Sequence, residues 1–535
     1  MINKSSFSIP LSIIIVLIFI GCSEKKLVNE NKVFRYNEHS NISSLDPIYS
    51  STLRNIWPVN QIFNGLVELD DSLKTKPDLA KSWIISKDGL EYKFLIKNKV
   101  FFHKSKTFEN DSTRTVNAKD FEYSFNRLKD PYLASPGSWA LKNVNSFKAE
   151  NDSVFVIKLK KPFAAFLGLL SMKYFSVVPF EAVNYYGDRF GKNPIGTGPF
   201  KFKRWEENIK LVLRKNNLYF EKDSSGKKLP YLEAISITFL PDKKSEFMEF
   251  AQNKIDFINS IDSSFKDQLI SLDGNLKKEY SKTIKLISGP YLNTEYIGFY
   301  LGDEKSQIHS KKLRLAINYA IDRKKMMKYL RNNIGYAANN GFVPLGLNIE
   351  NKVNGFKYDL KKAKKLVQEY KTENNKEKIE LKLTSDSNYL DIVEFIQREL
   401  QKIDIDLSIN IVPASALRQG KSNGKFEMFR ASWIADYPDS ENYLSLFYSK
   451  NLAPNGPNYT HFKSSEYDKL FESTYNEQNN TARKKIYQIL DSLVLENSPI
   501  IPLYYDKVMR FSQMNIEGLT TNPVNQLNLK KVYKK

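Results

Sequence analysis

The chain has 535 residues, 41% of them hydrophobic and 26% charged, which is too long for one core and calls for about two or three domains. Its formal net charge of +21 comes mainly from Lys scattered along the whole length. No block of like charge forms, so the charge reads as general surface character and nucleic acid is not an expected partner. A single Cys, Cys22, excludes an internal disulfide.

The first segment, "MINKSSFSIPLSIIIVLIFIGCSEKK", places Lys4 before an apolar run from Leu11 to Gly21. That run is shorter than the ~20 residues of a bilayer span and suits the apolar core of a signal peptide. A Cys directly after Gly21 resembles the bacterial lipoprotein signal, although Phe19 stands where Leu is more usual. The resemblance implies removal of residues 1–21 and a diacylglycerol on the Cys22 thiol. Residues 22–32 then form a polar tether, with the body held outside the cytoplasmic membrane.

Further along, "LEYKFLIKNKVFFH" (90–103) alternates apolar and polar residues around a Lys-Asn-Lys tip and predicts a hairpin. The stretch 116–128 predicts a helix with Asn117 as N-cap. Strands are expected at 208–216 and 231–240, and one long helix over 311–330 with Leu313, Ile317, Ala320, Ile321 and Leu330 on its apolar face. Residues 378–412 read as strand, helix, strand. Ile379, Leu381 and Leu383 point inward, as do Leu390, Val393, Ile396, Leu400 and Ile403 on the helix. Such a βαβ unit implies a partly parallel sheet. A helix over 482–496 and a strand over 498–511 close the chain.

Catalytic signatures are sparse. His39, His103, His309 and His461 lie far apart, and without a second Cys they suggest no zinc site. Neither a GxSxG elbow nor a phosphate loop occurs. "NPIGTGPFKF" (193–202) reads as tight turns leading into a strand. No catalytic residue and no cofactor is assigned, and the expectation is a binding protein rather than an enzyme.

One segment stands apart: "KFEMFRASWIADYPDSENY" (425–443). It reads as a strand ending in a turn, yet Arg430 and Asp436 sit six positions apart with Trp433 between them. Acid–base chemistry, a buried ion pair and a ligand site all fit that pattern.

Several stretches, in order, resemble the solute-binding proteins of peptide-type ABC transporters, the oligopeptide- and dipeptide-binding family. They are "SLDPIYS" (44–50), the segment 61–103, "VNAKDFEYSFNRLKDPYLASP" (116–136), "VVPFE" (177–181), "IGTGPFKF" (195–202), "LRLAINYAIDRKKM" (313–326), "SWIADYPDSENYL" (432–444) and "PIIPLYY" (499–505). The resemblance runs from about residue 33 to the end. It implies an α/β fold of the two-lobed periplasmic-binding-protein type (type II, cluster C) with an extra insert domain. Lobe I takes 33–65, 190–287 and 504–535, the insert domain takes 66–189, and lobe III takes 288–503.

The family pattern also implies site roles. Asp436 would hold a peptide's α-amino group, Arg430 its carboxylate, and Trp433 would line a side-chain pocket. Backbone groups of Ser432 and Ile434 would pair with the peptide, and Tyr505 is a further candidate. After "ASP" (134–136) Gly137 stands where oligopeptide binders carry a ligand-touching Tyr, with Trp139 as a substitute; Ser51 falls where some members carry an acid. Six extended residues span ~20 Å, whereas a tripeptide's ends lie ~10 Å apart. Either the Arg430 side chain leans back, or the turn before Tyr437-Pro438 brings Asp436 inward.

The implied partners are a short peptide, ABC permease subunits and the membrane through the lipid anchor, with the protein a monomer. The alternatives are the same fold around a metal chelate, haem or oligosaccharide, or an envelope enzyme or chaperone.

Overall fold

The strand–helix–strand unit forms one end of the largest sheet. In the computed structural model, which describes residues 32–347 and 353–535, Glu380–Ser385 and Asp406–Ile411 run parallel and the helix Leu390–Gln401 joins them. Leu381, Leu383, Val393, Ile396 and Leu400 are buried together, as the period-2 and period-3.6 patterns require. Leu390 departs from the expectation. It is the first residue of the helix, is 40% exposed, and borders a cleft instead of the core.

From this end the sheet runs Asp406–Ile411, Glu380–Ser385, Met428–Ile434, Ile284–Phe299, Ile500–Gln513, Phe257–Asn259, Val33–Asn37, Ala234–Thr238, Lys210–Lys215, Phe200–Glu206. Ile284–Phe299 and Ile500–Gln513 are antiparallel partners 16 and 14 residues long, with register shifts between Pro290 and Thr294 and between Glu295 and Tyr296. At one end this pair meets Phe257–Asn259 and at the other Met428–Ile434. It thus ties together separate cores. One holds Phe34, Trp57, Phe200 and Ile235; another holds Ile297, Ile317, Leu383 and Ile501.

A second sheet is antiparallel, in the order Ala80–Ile85, Glu91–Ile96, Val154–Leu159, Val144–Asn151. The helix Ala118–Lys129 packs on it through Phe121 and Phe125. Asn117 caps that helix with Asp120 in a reciprocal capping box, as its sequence predicts.

The hairpin expected at 90–103 does not form. Glu91–Ile96 already has Ala80–Ile85 on one edge and Val154–Leu159 on the other. The chain beyond Lys99 therefore leaves the sheet, and the His103 amide donates to the Gly196 carbonyl at 2.7 Å. The helix expected over 311–330 is two helices, Lys311–Ala320 and Arg323–Arg331. Asp322 caps the second by accepting from the Lys325 amide, which makes a new start more favourable than continuation. The Gly-rich stretch 193–202 is a turn leading into the strand Phe200–Glu206, packed on the backbone: a Cβ on Gly196 would lie 2.1 Å from the Ile62 carbonyl oxygen.

Among the described residues no helix is long and apolar enough to cross a membrane. Cys22 and the expected signal peptide lie outside the described residues.

Candidate functional site

The strand Met428–Ile434 determines which backbone groups face the cleft. It runs antiparallel to Ile284–Phe299, with Ile434 opposite Asn293 and Ser432 opposite Glu295. The Ala435 amide donates to the Leu292 carbonyl at 3.0 Å and the Tyr300 amide to the Glu427 carbonyl at 2.9 Å. Hydrogen-bonded pairs alternate along an antiparallel ladder. Ala431 and Trp433 therefore turn their backbone groups toward Ile284–Phe299, while Arg430, Ser432 and Ile434 turn theirs away. On that outer side Glu380–Ser385 reaches only Met428 and Phe429. Beyond Phe429 the outer edge has no strand partner among the described residues.

Asp436 follows directly. Asn442, itself buried, holds the turn through one carbonyl oxygen. Its Oδ1 accepts from Trp433 Nε1 at 2.8 Å and from the Asp436 amide at 3.3 Å. Solvent reaches the Asp436 carboxylate, yet protein stands on most sides of it. Burial raises its pKa, opposed in part by Asn442, and among the described residues no cation partners it. It lines a cavity of about 350 Å³ together with Tyr174, Tyr291, Ile434 and Val524. A larger cavity of about 830 Å³, bordered by Arg331, Asn388 and Asp506, shares Leu53 and Tyr291 with it, so the two are adjoining parts of one cleft.

Arg430 is placed elsewhere. Its Nη2 donates to Glu295 Oε2 at 2.5 Å, its Nη1 lies 3.8 Å from Asp386 Oδ2, and the guanidinium stacks 3.3 Å over the Tyr389 ring. Asn293 Nδ2 continues the chain, donating at 3.1 Å to both Glu295 Oε1 and Asp506 Oδ2; Arg331 stands 3.5 Å from Asp506. Glu295 feels burial, which raises its pKa, more strongly than the Arg430 charge, which lowers it. Arg430 is thus matched within the protein, and it does not border the Asp436 cavity.

Of the remaining candidates, Trp433 is half-buried beside the core of Phe342, Tyr443 and Phe447. Tyr505 is fully buried, its hydroxyl donating to the Gly341 carbonyl at 2.7 Å. Trp139 is 44% exposed on the turn Ser138–Leu141. Neither Tyr505 nor Trp139 borders the Asp436 cavity. Asp436 and Ile434 are therefore brought together there, with Ser432 one step back along the edge.

Two wall residues, Tyr174 and Tyr291, carry no signal in the sequence. Gly137 explains the first. A Cβ at Gly137 would lie 2.4 Å from the Tyr174 ring, so the missing side chain is what lets that ring lie on the backbone. Burial, then the Asp436 charge, pushes the Tyr174 hydroxyl up to about 12.

Glu68, Asp78 and Glu221 come close enough to suggest a metal site. The Lys530 ammonium already bridges the two glutamates, 3.0 Å from Glu68 and 2.9 Å from Glu221. Burial raises Asp78 to about 7, where it accepts from Asn64 and the Gly65 amide.

A two-lobed α/β body with a cleft between segments distant in sequence is the architecture of extracytoplasmic solute-binding proteins. The family model for bacterial extracellular solute-binding proteins, family 5, matches residues 74–455, and the chain belongs to that family. Its members are solute-binding proteins of ABC transporters. The chain is 24% identical to the dipeptide-binding protein DppE of Bacillus subtilis over 95% of its length and 93% of the relative's. It is 27% identical to the heme-binding protein A of Haemophilus influenzae over 86% and 85%. Among solved structures it resembles the periplasmic binding protein DppA of Helicobacter pylori in complex with the peptide STSA. The TM-score is 0.75 at 25% identity, covering 94% of this chain and 98% of that one.

Proposed function

We propose that this protein is the capture subunit of a peptide importer. In this reading it is a lipoprotein, anchored through Cys22 outside the cytoplasmic membrane, and works as a monomer that hands short peptides to an ABC permease. The observation that carries the reading is Asp436, a carboxylate in a cleft without a cationic partner among the described residues, beside an unused strand edge. A peptide's α-ammonium supplies the missing charge through a charge-assisted hydrogen bond. The peptide main chain then adds to Ser432 and Ile434 as one more strand, which uses groups that every peptide has. Residues 33–65, 190–287 and 504–535 form one lobe, 288–503 the other and 66–189 the insert. Closing them on the ligand excludes water and strengthens the charge contact.

The relatives named for dipeptides and for a bound peptide support this choice, and the one named for haem supplies the competing ligand. Titration calorimetry of the purified protein with free peptides, their N-acetylated forms and haem tests it. Free peptides of some length bind one to one and acetylation abolishes the binding. Haem binding without peptide binding, or equal affinity for acetylated and free peptides, overturns it.

A further inference from the structure

Besides Asp436 and neutral polar groups such as those of Ser51, Thr52 and Gln526, the cavity wall is largely apolar, with Ile56, Met172 and Val524 around it. Lys173 also borders it but is itself buried; burial lowers its pKa, opposed by the nearby charges of Asp78 and Glu68. The Tyr174 ring is 6% exposed and fixed in place by its seat on Gly137, where three ring atoms lie within 2.7 Å of the position a Cβ would take.

We propose that this cavity receives the first side chain of the peptide and selects an apolar one, with Tyr174 on its Gly137 seat as the wall that sets the depth. The proposal rests on the reading of Asp436 as the amine site. The carbon that bears a peptide's amine also bears its first side chain, so an ammonium held by Asp436 places that side chain in the same cavity. An apolar group there exchanges water for Met172, Ile56 and Val524. A Lys or Arg side chain brings a second cation to a wall whose one free carboxylate is already engaged. A Glu or Asp side chain meets Asp436 with like charge. Both charged classes give up full hydration for neutral hydroxyl and amide partners at most.

The test is a series of tripeptides, X-Ala-Ala, with X as Leu, Met, Phe, Ala, Lys or Glu, titrated into the purified protein by calorimetry. Leu and Met bind at least about tenfold tighter than Lys and Glu, in the range a hydrophobic pocket discriminates. Gly137→Ala pushes the Tyr174 ring off its seat and changes the ratio of Leu to Ala affinities severalfold. Tyr174→Leu enlarges the cavity and improves Phe relative to Leu at the first position. Equal wild-type affinities across X, with acetylation still abolishing binding, overturn this proposal alone. Failure of every tripeptide to bind overturns the amine-site reading and this one with it. The wild-type series needs no variant to fold, so the outcome does not depend on Gly137→Ala.

Discussion

Asp436 and Tyr437 are neighbours in the chain but face different parts of the molecule. Asp436 borders the cleft, whereas Tyr437 is buried in the core of the sheet at residues 80–159, its ring edge-on to Phe163 at 5.9 Å. Pro438 follows, against Gly168. The residue proposed to hold the ligand's amine is therefore joined by one peptide bond to the residue that packs into the other body.

Tyr437→Ala should loosen this junction. Losing a buried aromatic ring costs about 3–5 kcal/mol where it packs. Here the loss falls on the contact between bodies, so small-angle scattering should show a more extended particle. Peptide affinity should fall even though Asp436 is intact. An unchanged scattering profile with unchanged affinity would remove Tyr437 from closure.

Asp436→Ala should remove most peptide affinity, by ~2–5 kcal/mol, because the ligand's ammonium is left desolvated without a partner. Asp436→Asn keeps the shape but not the charge and should lose nearly as much. Calorimetry with one free tripeptide measures both, and wild-type affinity in either variant refutes the role.

Binding should weaken in acid. Burial holds the Asp436 pKa above its ordinary value in the free protein, and a bound ammonium lowers it again. The ligand's amine stays protonated throughout this range, so Asp436 sets the sign. The carboxylate must be charged to bind, and affinity falls as pH drops through the raised value, by up to about tenfold per pH unit between the free and bound pKa. A flat profile down to acid unfolding would contradict the assignment.

Arg430→Ala should act mainly on stability. Its partner Glu295 is buried, and removing one member of a buried pair costs about 3–5 kcal/mol by stranding the other. The paired change Arg430→Met with Glu295→Gln should recover part of that loss in urea unfolding. A large affinity loss at wild-type stability would instead give Arg430 to the ligand.

The line between what could be read in advance and what could not runs through particular residues. The βαβ unit, the Asn117 cap and the strand carrying Ser432 and Ile434 follow from periodicity and local capping, which act over a few residues. The 90–103 hairpin failed because local alternation cannot say that both edges of Glu91–Ile96 are already taken. Arg430 has its partner 135 positions away, and no local pattern reports such a distance. Gly137 showed itself as a departure from the family's Tyr, but its reason, the ring of Tyr174, exists only in three dimensions. Asn442 was hidden in the same way, a single carbonyl serving both Trp433 and Asp436.

The outer edge of Met428–Ile434 has one more consequence. An unpaired strand edge is ordinarily a hazard, because any extended chain can pair with it and seed aggregation. Here the open stretch is short, running from Arg430 to Ile434, and its end at Ile434 borders a cavity. A short free chain fits beside such a cavity more readily than a folded neighbour does. The protein can thus keep a pairing edge available with less of that hazard.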